Sequence, residues 1–244
     1  MSKGFSFREC FSEFIGSLVI IFFSGWAVVL QINEKIDFMT MTFVSSVSFG
    51  AFCWIGGSHS QCHFNPAITL ACYAAKKVNS LTLTFYLISQ FVGAYLGAVL
   101  IYYTIPEVLY LKSFEKDLEM GTPHVDPNIH WFFVFLFEII SAFIVMFIFC
   151  CMADQNMLPR YGILMGWGIG MSIVCFGAIS NVSANPIRYL GPALLSLKLW
   201  DSFIYVVGPI VGALGSILLY ENVFALSEGE REELKQGRTR VSQG

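Results

Sequence analysis

The distribution of charged residues divides this chain into long apolar stretches separated by polar connections. Five stretches contain no Asp, Glu, Lys or Arg, and a sixth, 130–153, is interrupted only by Glu138. Each exceeds the roughly 18 residues that a helix needs to cross a bilayer, and one is long enough for two such elements. The pattern predicts an integral membrane protein with several helical spans. The charge-free stretches are 14–32, 38–75, 78–106, 161–187 and 202–220.

Two Asn-Pro steps lie inside these apolar stretches and start additional helical segments. Asn caps free backbone N–H groups at a helix start, and Pro fits the first helical turn. We therefore expect half-helices over 65–76 and 185–196 that begin at Asn65-Pro66 and Asn185-Pro186 without crossing the membrane. The remaining stretches predict six full spans, at 10–31, 38–57, 81–105, 130–152, 161–180 and 201–221.

The two halves of the chain resemble each other in sequence. The segment Glu-Phe-Ile-Gly-Ser-Leu-Val-Ile from Glu13 parallels Glu-Ile-Ile-Ser-Ala-Phe-Ile-Val from Glu138, which indicates a duplicated unit. Each half has three spans, so the second copy enters the membrane in the opposite orientation. This predicts an all-α inverted repeat over 10–221, with repeats at 10–105 and 130–221. The third spans carry small-residue pairs that permit close helix packing, Gly93/Gly97 and Gly208/Gly212.

Composition and charge agree with a membrane protein and indicate its orientation. The chain is 56% hydrophobic and 13% charged. Lys76, Lys77 and Arg160 lie in short connections, whereas the long 105–129 connection is mainly acidic. The positive-inside rule then places both termini in the cytoplasm, as a short segment 1–9 and a flexible tail 222–244. We expect a multi-pass protein of the plasma membrane in preference to an internal membrane.

The polar residues within the apolar stretches do not suggest catalysis. The titratable groups there are Glu13, Glu138, His59, His63 and Arg188, and no nucleophile and base can be paired among them. An energised transporter would need further intramembrane carboxylates for ion coupling. Seven cysteines without regular spacing do not predict a disulfide framework. We expect neither an enzyme nor a protein that binds a cofactor, metal or nucleic acid.

The motifs occur in an order that resembles the aquaporin, or major intrinsic protein, family over about residues 8–221. This resemblance implies a homotetramer of right-handed six-helix bundles in the bilayer, each protomer with its own pore. It also implies that the amides of Asn65 and Asn185 face the pore centre and both donate to a passing water, whose own hydrogens then point away from the pair. The two helix N-termini at the same place would repel cations. The motifs are Glu13, His63–Ala67, Gln90 with Gly93-Ala94, Glu138, Asn185–Arg188 with Gly191-Pro192, and Gly208-Pro209.

The same resemblance implies roles for the other polar residues. Arg188 would form the narrowest constriction, and His63 would line the pore near its cytoplasmic end. Glu13 and Glu138 would accept hydrogen bonds from backbone N–H groups of the re-entrant loops. Pro66 and Pro186 would start the half-helices.

The remaining constriction positions indicate which solute passes. Counting from Asn185 places two of them at Ile173 and Val182, where strict water channels commonly have His in place of Ile173. Counting back without gaps from Asn65 places the second-span position at Ser45. Aligning the Phe49-Gly50 pair with the aromatic-Gly pair of the family places it at Phe49. These residues resemble the less selective, tonoplast-like branch.

Water is the expected substrate, with small neutral solutes as additional candidates. Two alternatives stay open, a glycerol-, urea- or ammonia-conducting facilitator and a non-conducting structural protein of membrane junctions. Tyr189 and Ala193 argue against a glycerol facilitator, which carries Asp and Arg there. The second motif departs from the family pattern because Ile187 replaces Ala, so this side chain must be packed away or narrow the vestibule.

Overall fold

The computed structural model describes residues 6–57, 59–115, 119–154, 162–227 and 229–230. The described residues form helices joined by turns, and six of the helices are long and apolar enough to cross a membrane. The helices are α1 (Phe7–Ile32), α2 (Phe38–Gly56), α3 (Pro66–Ala74), α4 (Ser80–Thr104), α5 (Glu107–Glu115), α6 (Trp131–Asp154), α7 (Gly162–Ser180), α8 (Pro186–Ser196) and α9 (Phe203–Phe224).

Side-chain caps explain where several helices begin. Ser6 and Asn79 accept hydrogen bonds from backbone N–H groups in the first turns of α1 and α4. Asp37 caps α2, and its bonds from the backbone N–H and hydroxyl of Thr40 lower the pKa of its carboxyl. Capping satisfies N–H groups that the helix itself leaves free.

The two repeats use the same helix pairing. In the first repeat α4 packs closely against α1, and in the second α9 packs against α6. A β-carbon on Gly97 would lie 2.6 Å from the carbonyl oxygen of Leu18, and one on Gly208 would lie 2.8 Å from Glu138 Cβ. Glycine therefore permits both close approaches, as it does at Gly93 and Gly212.

Contacts between the repeats close the bundle. Helices α2 and α7 cross near Gly50 and Gly166, where a β-carbon on Gly166 would lie 3.2 Å from the Cα of Gly50. Each half-helix packs on the third span of the other repeat, α3 on α9 and α8 on α4. This exchange brings the N-termini of α3 and α8 together in the middle of the bundle. The fold is the predicted six-helix inverted repeat with two re-entrant half-helices.

Some boundaries differ from the sequence prediction. Helix α1 begins at Phe7, α9 continues to Phe224, and the acidic connection contains an unpredicted helix, α5. Helix α7 contains one π-helical turn, at Ile173–Gly177, and α9 contains two, at Phe203–Val207 and Tyr220–Phe224. Within the predicted termini, residues 1–5, 228 and 231–244 lie outside the described residues, as does Arg160 of the short connection.

Candidate functional site

The side chains of Asn65 and Asn185 link the two half-helices to each other. Asn65 Nδ2 donates to the carbonyl oxygen of Ala184, and Asn185 Nδ2 donates to that of Phe64, each at 2.9 Å. Each Oδ1 also accepts from a backbone N–H in the first turn of its own half-helix. An Asn amide carries two N–H donors, so each residue retains one beyond this link.

The residue before each Asn has an unusual backbone conformation. Phe64 has a φ of 44° and Ala184 a φ of 52°, which is the left-handed region that side chains other than glycine rarely adopt. Such conformations persist where surrounding contacts determine them, and they concentrate at functional sites. Here the turn directs the N–H groups of Phe64 and Ala184 toward buried carboxylates.

Glu13 is the acceptor for the first re-entrant loop. Its Oε1 accepts from the His63 backbone N–H at 3.0 Å and the Ser60 hydroxyl at 2.9 Å. Its Oε2 accepts from the Phe64 backbone N–H at 2.7 Å and Gln90 Nε2 at 2.8 Å. The carboxyl group is fully buried, so these bonds replace its hydration.

Glu138 has the equivalent position in the second repeat. Its Oε1 accepts from the backbone N–H of Ser183 at 2.6 Å, and its Oε2 from that of Ala184 at 2.8 Å. Tyr205 supports the same loop, because its hydroxyl donates to the Ser180 carbonyl oxygen at 2.7 Å. Both glutamates thus bind backbone N–H groups of the loops that precede the half-helices.

His63 belongs to a buried polar chain behind the first half-helix. Its Nδ1 lies 3.0 Å from the Thr69 hydroxyl, which is also 3.0 Å from Gln90 Nε2. The ring contacts the edges of Tyr86 and Phe149, both at centroid distances of 5.3 Å. Sequence reasoning missed Thr69, since a lone threonine four residues after Asn65 gives no distinguishing signal.

A cavity lies beside the second half-helix, on the side of the bundle opposite the chain termini. Its volume is about 60 Å³. One water molecule requires about 10–15 Å³, so the cavity has room for several. Its wall combines polar and apolar side chains, Ser24, Ser45, Asn181, Ser183, Asn185 and Arg188 with Ile20, Val28, Met41, Phe49, Ile169, Ile173 and Val182.

The cavity brings together most of the residues predicted for the constriction. Ser45 and Phe49 both line it because they are four residues apart on α2 and share one face of that helix. Ile173, Val182, Asn185 and Arg188 line it as well. Asn65 and His63 are buried and lie outside this wall.

Arg188 is held at the cavity by a loop that sequence reasoning missed. Its Nη1 donates to the carbonyl oxygen of Gly121 at 2.7 Å. Gly121 and Pro123 follow α5 and also form part of the cavity wall. No motif marks Gly121, because it contributes a backbone atom whose position depends on the path of a long connection.

Ile187, the unusual residue of the second motif, points away from the cavity. It is 0% exposed and packs with Ile21 and Ala94 against the partly buried Phe91. The additional methylenes are therefore accommodated between α8, α1 and α4. They do not narrow the cavity.

Comparison with known proteins decides the family. The family model "Major intrinsic protein" matches residues 1–220. This chain belongs to the major intrinsic protein family. Aquaporin A of Dictyostelium discoideum is 26% identical over 224 residues, which cover 88% of this chain and 78% of that protein. Aquaporin AqpM of Methanothermobacter marburgensis is 28% identical over 245 residues, covering 88% and 96%.

A solved structure supports the fold independently. The aquaglyceroporin from Plasmodium falciparum superposes with a TM-score of 0.73 at 22% identity, covering 88% of this chain and 96% of that one. At this identity the likeness concerns the fold alone. Major intrinsic proteins are membrane channels and not enzymes, which agrees with a site composed of hydrogen-bond donors, carbonyl oxygens and apolar side chains.

Proposed function

We propose that this major intrinsic protein is a passive water channel that also passes small neutral solutes. The observation that carries the proposal is the cavity ending at Asn185, beside the cross-bonded pair of Asn side chains. The remaining N–H of each amide serves as a donor to a passing oxygen atom. A water that accepts two such bonds directs its own hydrogens away from the pair, which interrupts proton transfer along the file.

The electrostatics of the site favour neutral solutes. The N-termini of α3 and α8 meet at the Asn pair and present their positive dipole ends there. Arg188 adds a full positive charge to the cavity wall. Cations are opposed at both points, whereas a neutral solute gains hydrogen bonds without crossing a charge barrier.

The constriction supports permeation beyond water. Ile173 stands on its α7 wall in place of the imidazole of a narrow water filter, and Ser45 on α2 leaves space beside Phe49, the aromatic ring of that wall. A wider, partly apolar wall admits solutes such as urea, ammonia or hydrogen peroxide. Glycerol is less favoured, because Tyr189 and Ala193 stand where glycerol facilitators carry Asp and Arg.

The assembly we propose is a homotetramer in the plasma membrane with both termini in the cytoplasm. Many large apolar side chains on the outer helix faces are exposed in the single chain, among them Trp54, Trp167 and Phe203. Lipid and neighbouring protomers would cover these faces. Native mass spectrometry of detergent-released protein would detect the tetramer, and a monomer as the largest species would contradict it.

Osmotic shrinkage of proteoliposomes tests the channel function. We expect water permeability well above that of protein-free vesicles, with a low activation energy, and measurable urea uptake in the same vesicles. Protein-free vesicles serve as the control, and Asn65→Asp/Asn185→Asp should lose the added permeability, because it sets carboxylates against the carbonyl oxygens of Ala184 and Phe64 in place of donating amides. Wild-type permeability equal to that of protein-free vesicles would instead favour the structural, non-conducting alternative.

A further inference from the structure

The loop that follows α5 touches α1 where both segments carry glycine. A β-carbon on Gly25 would lie 2.7 Å from the carbonyl oxygen of Met120 and would also overlap Ile101 Cδ1. A β-carbon on Gly121 would lie 2.8 Å from both the Cα and the carbonyl oxygen of Gly25. Backbones approach this closely only where side chains are absent. The contact therefore requires glycine on both segments.

The shape of this turn is determined by its surroundings. Met120 has a φ of 51° and Gly121 a φ of 72°, so two successive residues are left-handed. That conformation is unfavourable for a long side chain such as Met, and it persists here with the Met120 side chain buried. The turn carries the Gly121 carbonyl oxygen that accepts from Arg188 Nη1 at 2.7 Å.

We propose that the contact between Gly25 and Gly121 is a clamp that positions Arg188 and thereby sets which solutes pass. The inference rests on the proposed channel function. An arginine side chain has several rotatable bonds, and a charge-assisted bond to a fixed carbonyl oxygen selects one arrangement. A methyl group between α1 and the turn displaces the acceptor, and Arg188 then leaves the constriction. Gly25 and Gly121 are positioning residues because they act through Arg188.

The test separates loop displacement from loss of helix packing. In Gly25→Ala/Ile101→Val, the valine removes the Cδ1 atom that overlaps the new methyl group, so the remaining conflict is with the Met120 carbonyl oxygen. Ile101→Val alone is one control. Gly215→Ala is the other, because a β-carbon there meets only Phe143 Cδ2, at 3.9 Å. The measured quantity is the ratio of urea to water permeability in proteoliposomes.

We expect this ratio to rise about tenfold in Gly25→Ala/Ile101→Val, the factor that corresponds to one lost charge-assisted hydrogen bond. Both controls should keep the wild-type ratio. Combined with Arg188→Val, the Gly25 change should add nothing further, because both changes remove the same interaction. Met120→Ala loosens the turn without adding an atom, and it should raise the ratio even if the Gly25 variant does not fold.

Two results separate this inference from the function on which it rests. Wild-type vesicles no more permeable than protein-free ones would overturn both. The clamp alone is overturned if wild type conducts while the folded Gly25 and Met120 variants keep its ratio. It is also overturned if the Gly25 effect persists undiminished in the Arg188→Val background.

Discussion

Glu13 and Glu138 occupy equivalent positions in the two repeats, but they hold their half-helices with different numbers of hydrogen bonds. Glu13 accepts from two backbone N–H groups, from Ser60 and from Gln90. The bonds described for Glu138 come from the backbone N–H groups of Ser183 and Ala184. The first half-helix is thus tied to α1 and α4 by side chains as well as backbone.

The surroundings of the two Asn residues also differ, since Asn65 lies in the more closely packed half. Near Asn65, Phe64 packs edge to face against Phe49 at a centroid distance of 6.4 Å, and His63 is enclosed by aromatic rings. Asn185 instead borders the cavity that Arg188 also lines. The two halves thus share the frame of glutamate, loop and half-helix, whereas the cavity in which we propose that solutes are selected borders only the second Asn.

The largest expected effect is a loss of stability when either of the two buried glutamates is replaced. Glu13→Ala should destabilise the protein more than Glu138→Ala, because each buried donor left without an acceptor costs about 1–3 kcal/mol and Glu13 serves more of them. The measurement is thermal unfolding of the purified protein in detergent. Glu107→Ala, at an exposed position at the start of α5, is the control and should leave the transition unchanged. An equal or larger loss for Glu138→Ala would contradict the comparison.

Replacing Ile187 by the alanine usual in the family tests whether this side chain serves packing or solute selection. Ile187→Ala should lower stability by about 2–5 kcal/mol, because it leaves a void between α8, α1 and α4. The ratio of urea to water permeability should stay at the wild-type value, since Ile187 lies outside the cavity wall. Ile163→Ala at an exposed position on α7 is the matched control. A changed ratio would mean that Ile187 shapes the pathway.

Removing the positive charge from the constriction tests the selective role of the second half. Arg188→Val should raise urea and cation leakage about tenfold while water flow is retained, because a charge-assisted donor and a cation barrier are both lost. Stopped-flow scattering and a cation-sensitive dye measure the two leaks in the same vesicles. Arg8→Val at the exposed start of α1 controls for general loss of charge. Unchanged selectivity would place Arg188 outside the constriction.

The smallest expected effect concerns the α2 wall. Ser45→Phe should lower urea permeability about threefold and water permeability less, since a ring in the cavity reduces its diameter. Val47→Phe, on an exposed face of the same helix, is the control with the same added volume. If urea flux is unaffected in Ser45→Phe, the narrowest point lies at Phe49 or deeper. Because Ser45 lies on α2 in the first repeat, the expected decrease would extend the selective region into that half.

Much of the frame could be predicted because it follows from local signals. Charge-free stretches marked the spans, and the Asn-Pro steps marked the starts of α3 and α8. The boundaries at Phe7 and Phe224 and the helix Glu107–Glu115 were not predicted. The Ser6 cap at the start of α1 is a local signal that was overlooked, whereas α5 was missed because the polar composition of the connection resembles that of a loop.

Within the candidate site, the side chains that belong to sequence motifs could be predicted, whereas the contributing backbone groups could not. Arg188 could be named from its motif and Ile173 by counting from Asn185, whereas the carbonyl oxygen of Gly121 could not, because any residue supplies one. The choice between Ser45 and Phe49 could not be made from the sequence either. Both line the cavity, since one helical turn separates them.

By itself, the sequence determined that this is a duplicated, six-span membrane protein, because apolar length and repeated motifs act through local physical rules, and the family resemblance of its motifs implied a channel. Tertiary structure decided what surrounds each motif. It packed Ile187 against Ile21 and Ala94, enclosed His63 among aromatic rings, and brought Gly121 to Arg188 across 67 positions of chain. Such contacts depend on how the helices and loops meet in space, and the same motifs could otherwise have been surrounded by different neighbours.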